Sequence, residues 1–488
     1  MSVSLISRDT RRRTVHTVYL RESKHWWLQK LRQGFNRKPC RKKILKIRRE
    51  RFGGVLFDPD RPGFQSLNKT ATRIVELSTG HLSIDEISDT LVKDFKGEPS
   101  KVLRDVEHFL SALEKDKYVG YEGTIEPVDL RYDPWEKPLA IPPALEAPVH
   151  VTIYLTNACN MNCIHCSVDS GKASQNELNT RKWMDVIANL ADMGVCNIRI
   201  TGGEPLCRPD LFEILDSITS TGMSFDINTN GVLIDHAVAR KLKEAGVRDV
   251  SISLDGSSPI PHERLRGVAG SFSKALDGIK ACVANDMTVI VNFTVTGLNY
   301  QEISPTIELT KPLGVLGVTF FFIHNIGRAR TSNDLLLTKD QIDFAYRTIV
   351  AQGYKSGRVA GDPWVLCEAS YQFPGKQRCA AAINRCSITA DGFVTPCTFY
   401  PRTDLMLDGE IIRPDNVRAT RFDEIWRKSK YLDAIRNTEC LKPPCASCNT
   451  KDTCNGGCRV NSLAFFGSPL FGDFHCPKVS DYYENKKP

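Results

Sequence analysis

The chain has 488 residues, 41% hydrophobic and 25% charged, a composition that can bury two to four cores and excludes a disordered or fibrous protein. No run approaches 18 apolar residues and the N-terminus has no apolar signal core, so neither a membrane span nor a secretory signal is expected, and the chain reads as cytoplasmic. The net charge of +8 is uneven: residues 1–51 carry 17 Lys/Arg against 3 Asp/Glu, a local +14 that leaves −6 for the rest.

In chain order, residues 1–42 form a basic extension, either a solvated arm or an attractor of an acidic partner or nucleic acid. A compact segment follows at 43–124. Lys43–Arg49, Gly54–Phe57 and Gly63–Leu67 read as short strands, the last two joined by the turn Asp58-Pro-Asp-Arg-Pro62. Three helices are predicted next, Asn68–Leu77, Ser83–Phe95 and Pro99–Lys117. Ser83 with Glu86 makes a capping box, and Val102, Val106, Phe109, Leu110 and Leu113 form an apolar core stripe. Residues 125–148 contain six prolines and read as a semi-extended linker.

From 149 to 345 strands and helices alternate. Strands are predicted at His150–Leu155, Asn197–Thr201, Ser224–Asn228, Asp249–Leu254, Thr288–Val295 and Leu316–Ile323. Helices separate them at Arg181–Met193, Asp210–Thr221, Ile234–Ala245, Ser271–Ala284 and Tyr300–Thr310. Six parallel β/α units imply an α/β barrel or part of one. Beyond about residue 365, to 480, cysteine, glycine and proline become dense and periodic helix nearly disappears.

Seventeen cysteines in a reducing compartment call for metal binding or catalysis rather than disulfides. The loop after the first barrel strand reads Cys159-Asn-Met-Asn-Cys163-Ile-His-Cys166. Three thiolates in eight residues can hold three corners of an iron–sulfur cubane and leave one iron open, as a catalytic site requires. A partial zinc knuckle is the bland alternative. The second strand runs into Gly202-Gly203-Glu204-Pro205, the third into Asn228-Thr-Asn230-Gly, the fourth into Ser251-Ile-Ser253-Leu-Asp-Gly256 with Arg264-Leu-Arg266-Gly267 after it, and the sixth ends near Gly327-Arg-Ala329.

This set resembles the radical S-adenosylmethionine (SAM) family over about residues 149–330, with His165 in the family's aromatic position. The resemblance implies an α/β fold with a partial (β/α)6 barrel and SAM chelated by the open iron. It further implies Gly202, Gly203, Glu204, Asn230, Ser253, Arg266 and His165 around that cofactor, and reductive cleavage of SAM to a 5′-deoxyadenosyl radical. Glu204 is the expected partner of the SAM ammonium. Ser253 and Arg266 read equally as turn or cap residues.

Cys379-x6-Cys386-x10-Cys397 and Cys445-x2-Cys448-x5-Cys454-x3-Cys458-x17-Cys476 supply eight more thiolates, enough for two four-iron clusters or two zinc ions. Only five residues separate Cys448 from Cys454, against fifteen to twenty in typical zinc ribbons. The arrangement resembles the SPASM extension of peptide-modifying radical SAM enzymes, with spacing like the mycofactocin maturases. That resemblance implies one auxiliary [4Fe-4S] cluster on Cys379, Cys386, Cys397 and Cys458, with Cys440 as the alternative to Cys386, and another on Cys445, Cys448, Cys454 and Cys476. With the SAM-binding cluster this makes three [4Fe-4S] clusters, fed by an electron donor such as flavodoxin or ferredoxin. Where sulfatase-maturating members carry a basic aspartate, Thr398 stands here, and no catalytic base is assigned. Cys40, Cys196, Cys207, Cys282 and Cys367 read as ordinary thiols.

Residues 43–124 resemble the PqqD-like recognition element of ribosomal-peptide biosynthesis, whose winged helix-turn-helix-like layout DNA binders share. In that family a leader peptide adds as a strand to the sheet edge. The reading is therefore a maturase of a ribosomally made precursor peptide, with no membrane partner and nucleic acid disfavoured. The alternatives are radical modification of a small molecule such as a tetrapyrrole or of a protein, and a winged-helix nucleic-acid regulator carrying iron–sulfur clusters.

Overall fold

The computed structural model describes residues 37–42, 45–59, 64–121, 144–352, 365–367, 379–407, 409–474 and 476–484. Most of the expected basic extension, Gly63 and linker residues 125–143 lie outside these ranges. The chain divides into two compact units, residues 1–142 and 143–488.

In the first unit β1 (Cys40–Arg41) is followed by β2 (Lys46–Glu50), β3 (Gly53–Phe57) and β4 (Gln65–Asn68). The last three form an antiparallel meander with β2 and β4 at its edges, Lys46 opposite Phe57 and Gly54 opposite Leu67. Three helices follow: α1 (Lys69–Leu77), α2 (Ile84–Phe95) and α3 (Pro99–Lys115). Asn68 Oδ1 accepts Ala71 N–H to start α1, the Ser83–Glu86 box starts α2, and Glu98 caps α3 with Pro99 at its first position. The predicted stripe on α3 is buried against Leu56, Leu67 and Ile74. Cys40 and Arg41, expected in the extension, instead pair with β5 (Val119–Gly120). A two-residue strand has no periodicity to read in the sequence.

The second unit is built on one sheet. Its core strands are β6 (His150–Tyr154), β7 (Asn197–Thr201), β8 (Ser224–Thr229), β9 (Asp249–Ser253), β10 (Thr288–Val295) and β11 (Gly317–Phe322), parallel and adjacent in chain order. The connecting helices are α4 (Thr180–Asp192), α5 (Leu211–Ser220), α6 (His236–Glu244), α7 (Pro259–Arg266), α8 (Ser271–Ala284) and α9 (Ile303–Thr310), with α10 (Lys339–Ala351) after β11. Each strand sends one face to the helices: Val151 and Ile153, Ile198 and Ile200, Val250 and Ile252, and Val291 and Phe293 are all buried there. The alternate positions line a polar lumen with Thr152, Tyr154, Arg199, Asp226, Ser251, Asn292 and Thr294.

The sheet runs past the six expected strands. Short β12 (Val365–Cys367) pairs parallel with β11, and β13 (Arg385–Ile388) pairs parallel with β6, Cys386 opposite Val151, before turning antiparallel into β14 (Val394–Thr395). The cysteine-rich segment therefore continues the barrel sheet. It also holds a hairpin, β15 (Leu405–Leu407) with β16 (Glu410–Ile412). It is less helix-poor than expected: α11 (Phe422–Lys428), α12 (Lys430–Arg436), α13 (Lys451–Cys454), α14 (Arg459–Phe466) and α15 (Pro477–Glu484) are all present. Each spans about two turns or fewer, too few for a 3.6-residue period to stand out. Residues 144–148 are anchored here, with Trp426 Nε1 donating to Leu145 O at 2.8 Å. Among the described residues no helix is long and apolar enough to cross a membrane.

Candidate active site

Parallel strands put every following loop at one end of the sheet. The Cys159–Cys166 loop leaves β6 there and is held by three neighbours. Gly203 N–H donates to Thr156 O and Glu204 N–H to Ala158 O, both at 2.7 Å. A Cβ on Gly203 would lie 2.2 Å from Ala158 O, so the glycines let two protein backbones meet as well as leaving room for a ligand. Asn162 N–H and Ile164 N–H donate to Arg266 O and Leu265 O at the end of α7. From beyond β11, Arg328 donates to Cys163 O at 2.8 Å and to Ser170 O at 2.6 Å.

Each of the three sulfurs has its own donor: Met161 N–H to Cys159 Sγ and Ser170 N–H to Cys166 Sγ, both at 3.4 Å, and Arg266 Nη1 to Cys163 Sγ at 3.8 Å. N–H···S bonds of this kind stabilise thiolates bound to iron. In the chain alone, burial pushes Cys159 up to about 11 and raises Cys163, so cluster insertion must release protons.

Glu204 is fully buried. Its Oε1 accepts Thr229 Oγ1–H at 2.7 Å and Leu206 N–H at 3.1 Å, and its Oε2 accepts Asn230 N–H at 2.7 Å. Asn230 also donates through Nδ2 to Asn160 Oδ1 at 2.7 Å, tying the β8 loop to the cysteine loop. Burial raises the Glu204 carboxyl despite these bonds. Gly202, Gly203, Glu204, Asn230 and the three cysteines are thus brought together.

Arg266 and His165 join them through a residue that sequence reasoning did not single out. Asp255 Oδ2 lies 2.6 Å from Arg266 Nε and 3.5 Å from His165 Nε2, with Asp255 and His165 buried and Arg266 partly so. Burial pushes Asp255 up, but Arg266 and then His165 outweigh it and hold the carboxyl below its ordinary value. Burial lowers His165 to about 4, so the imidazole is neutral. Ser253 lies at the end of β9 on the lumen side, and among the described residues its hydroxyl bonds none of these groups.

The second cysteine region falls into two neighbourhoods. Burial, then the charges of Cys476, Cys454 and Cys448, pushes Cys445 up to about 12, so these four are close neighbours. Lys478 Nζ and Thr450 Oγ1 contact Cys448 Sγ and favour its thiolate. A Cβ on Gly472 would lie 2.5 Å from Cys445 Sγ, leaving a cradle beside that sulfur. Cys379, Cys397 and Cys458 act on one another in the same way. Cys386 stands apart from them. It shares with Val151 the sheet face away from the lumen, and among the described residues the charge acting on its thiol is that of Arg436. Cys440 and Cys379 both lie near the Arg459 guanidinium, which is buried with no carboxylate partner among the described residues. A cation buried among thiols fits anionic thiolate-bound clusters. No three His, Cys, Asp or Glu side chains among the described residues form a ready single-ion site.

The two regions meet at Tyr154. Its hydroxyl donates to Thr398 O, Thr152 and Thr398 share a hydroxyl–hydroxyl bond of 2.9 Å, and burial followed by the charges of Cys397 and Cys166 raises the phenol. Tyr154 stands between the cysteine loop and the first auxiliary neighbourhood. A lone tyrosine in a strand gives no sequence signal of such a place.

Comparison with known proteins agrees with this geometry. Residues 153–310 match the radical SAM superfamily, residues 53–119 match coenzyme PQQ synthesis protein D (PqqD), and residues 379–449 match an iron–sulfur cluster-binding SPASM domain. The chain is 32% identical to the mycofactocin maturase MftC of Mycobacterium ulcerans over 335 residues, covering 67% of this chain and 87% of that protein. It is 29% identical over 356 residues to an AdoMet-dependent heme synthase of Methanosarcina barkeri, covering 68% and 96%. In fold it is similar to Streptococcus suis SuiB bound to precursor peptide SuiA, with a TM-score of 0.62, 16% identity, and 90% and 100% of the two chains covered.

Proposed function

This chain belongs to the radical SAM family and carries the SPASM iron–sulfur domain, and from that premise we propose that it modifies a ribosomally synthesised precursor peptide. The observation that carries this reading is the PqqD-type segment at 53–119, folded around its own core ahead of the barrel. Its meander and three helices suit a winged recognition module, and β4 is an edge strand to which a leader would add.

Bound SAM and its cluster supply reductive carbon–sulfur cleavage to a 5′-deoxyadenosyl radical. Cys159, Cys163 and Cys166 would hold that cluster, with Arg266 beside Cys163. Glu204, fixed by Thr229 and Asn230, would accept the SAM ammonium through its remaining lone pair, and His165, Ser253 and the two glycines would border the cofactor. Cys445, Cys448, Cys454 and Cys476 would hold one auxiliary cluster, and Cys379, Cys397 and Cys458 three corners of the other. The fourth corner falls to Cys386 or Cys440, and whichever Cys→Ser change lowers the iron count identifies it. The free thiols among the described residues suit a cytoplasmic enzyme served by a flavodoxin- or ferredoxin-type donor.

The similarity to a heme synthase favours a second reading, radical modification of a tetrapyrrole. One experiment separates them. Anaerobically reconstituted protein, expected to hold about twelve irons in three four-iron clusters, is given SAM, reductant and either each short peptide found encoded next to this chain's own reading frame or an iron porphyrin. A mass change in the peptide that disappears when Cys159, Cys163 and Cys166 are replaced by Ala supports the proposal. A changed porphyrin with an unchanged peptide overturns it.

A further inference from the structure

One turn joins the two neighbourhoods of the second cysteine region. Cys454 falls in one and Cys458 in the other. The three residues between them, Asn455, Gly456 and Gly457, lie in the left-handed region at φ +56°, +76° and +70°. Against this turn packs the buried Arg459 guanidinium, its Cζ 3.5 Å from where a Cβ on Gly456 would stand. Arg459 Nη1 donates to Pro469 O at 2.9 Å, and Nη2 donates to Asn455 Oδ1 at 3.0 Å and to Ile435 O at 3.3 Å. All three acceptors are neutral. Burial works against the charge, and the thiols of Cys379 and then Cys445, one from each neighbourhood, support it.

Two donors are left over. Arg459 Nε and Asn455 Nδ2, both on buried side chains, have no hydrogen-bond partner among the described residues. An unpaired buried donor costs stability, and a buried charge without a counter-ion costs more. The left-handed turn explains a short polar side chain at 455 but not its amide, because aspartate accepts that conformation as readily. Aspartate is also the ordinary counter-ion of a buried arginine. Asparagine instead turns Oδ1 to a guanidinium that can only donate, and brings no negative charge. The cation is held in place and left for some other anion to balance.

We infer that Arg459, held by Asn455, is a shared electrostatic group for both auxiliary clusters, its uncompensated charge making each of them easier to reduce. The inference rests on the reading that the cysteine-rich segment holds two such clusters. Reduction adds one electron to a cluster and breaks no bond. A fixed cation close by therefore favours the reduced form, and a carboxylate beside it removes that help. Because the turn carries a ligand of each cluster, one guanidinium moves both in the same direction.

Redox titration of the anaerobically reconstituted holoenzyme, followed by electron paramagnetic resonance, reads the cluster midpoints. The Cys159–Cys166 cluster, which has its own guanidinium in Arg266, is the internal reference. Asn455→Asp is the sharper variant: it keeps Arg459 and its acceptor oxygen, and the NH2 it removes bonds nothing among the described residues. Beside Arg459 the new carboxyl stays ionised. Both auxiliary midpoints should fall, each by about 59 mV or more, a tenfold change in a one-electron equilibrium. Arg459→Gln should lower both in the same way, whereas Arg459→Lys, which keeps the charge, should hold both near those of the parent. Unchanged midpoints in Asn455→Asp, a shift at only one auxiliary cluster, or an equal shift at all three clusters overturns the inference. A parent enzyme with fewer than two auxiliary clusters overturns the cluster reading, and the inference with it.

Discussion

Glu204 accepts three hydrogen bonds from its own chain before any ligand arrives, so it supports the loop in its own right. Glu204→Ala should weaken SAM binding and also cost about 1–3 kcal/mol of stability from donors left unpaired. Calorimetric titration with SAM and a thermal melt read the two effects, and a normal rate of 5′-deoxyadenosine formation would reduce Glu204 to a structural residue. A second prediction concerns His262, whose buried ring accepts Asp255 N–H at Nδ1 over 3.1 Å and must be neutral to do so. Burial, then Arg266, lowers it from 6.5 to about 4. The unfolded chain takes up this proton near 6.5 while the folded chain resists it until about 4. Stability from this residue is therefore complete above the first value and is lost as pH falls, by about 2 kcal/mol at pH 5. Urea midpoints at pH 7 and 5 should show a loss smaller by that amount in His262→Gln than in the parent, the share of His165, also lowered to about 4, remaining in both. Residues such as Cys159, Glu204 and Asn230 were legible because they sit in short, spaced motifs. Tyr154 and Asp255 were not, because partners such as Thr398 and His165 lie far along the chain and only the folded sheet brings them near.

Gly472 shows how one element's backbone makes room for another's sulfur. It sits at φ +89° and a Cβ there would lie 2.5 Å from Cys445 Sγ. Gly472→Ala should remove about four irons, those of one auxiliary cluster, and leave the Cys159–Cys166 site loaded; iron analysis with electron paramagnetic resonance distinguishes the sites. Full iron in the variant would mean that Cys445 is not a ligand. The barrel strands were legible almost to the residue, Asn197–Thr201 and Thr288–Val295 among them, because apolar residues at alternate positions, bounded by glycine and turn residues, mark strands with one buried face. The helix α7 was missed because Pro259 and Pro261 mark a turn as readily as a first helical turn. The attachment of β13 to β6 was invisible, since four residues, Arg385–Ile388, carry no record of which distant edge they will join.

At the scale of the molecule, two units with separate cores predict separable behaviour. Deleting residues 1–124 should leave iron content and SAM cleavage intact while peptide modification falls by about 100-fold or more, the advantage of a tethered over a free partner. Supplying the isolated segment as a second chain should restore little. Full activity in the truncated enzyme would remove the recognition role, and salt-sensitive duplex DNA binding by the segment would replace it with a regulatory one. The pairing of β13 with β6 has a further consequence, for synthesis. His150 must wait for Arg385, its partner 235 residues later, before the first edge of the sheet is covered. At ribosomal rates that interval lasts roughly 12 to 47 s. Throughout it, β6 offers open backbone amides and carbonyls to any passing strand. The newborn chain is thus exposed to mispairing, and in need of a chaperone, in the interval when its Cys159–Cys166 loop is already complete.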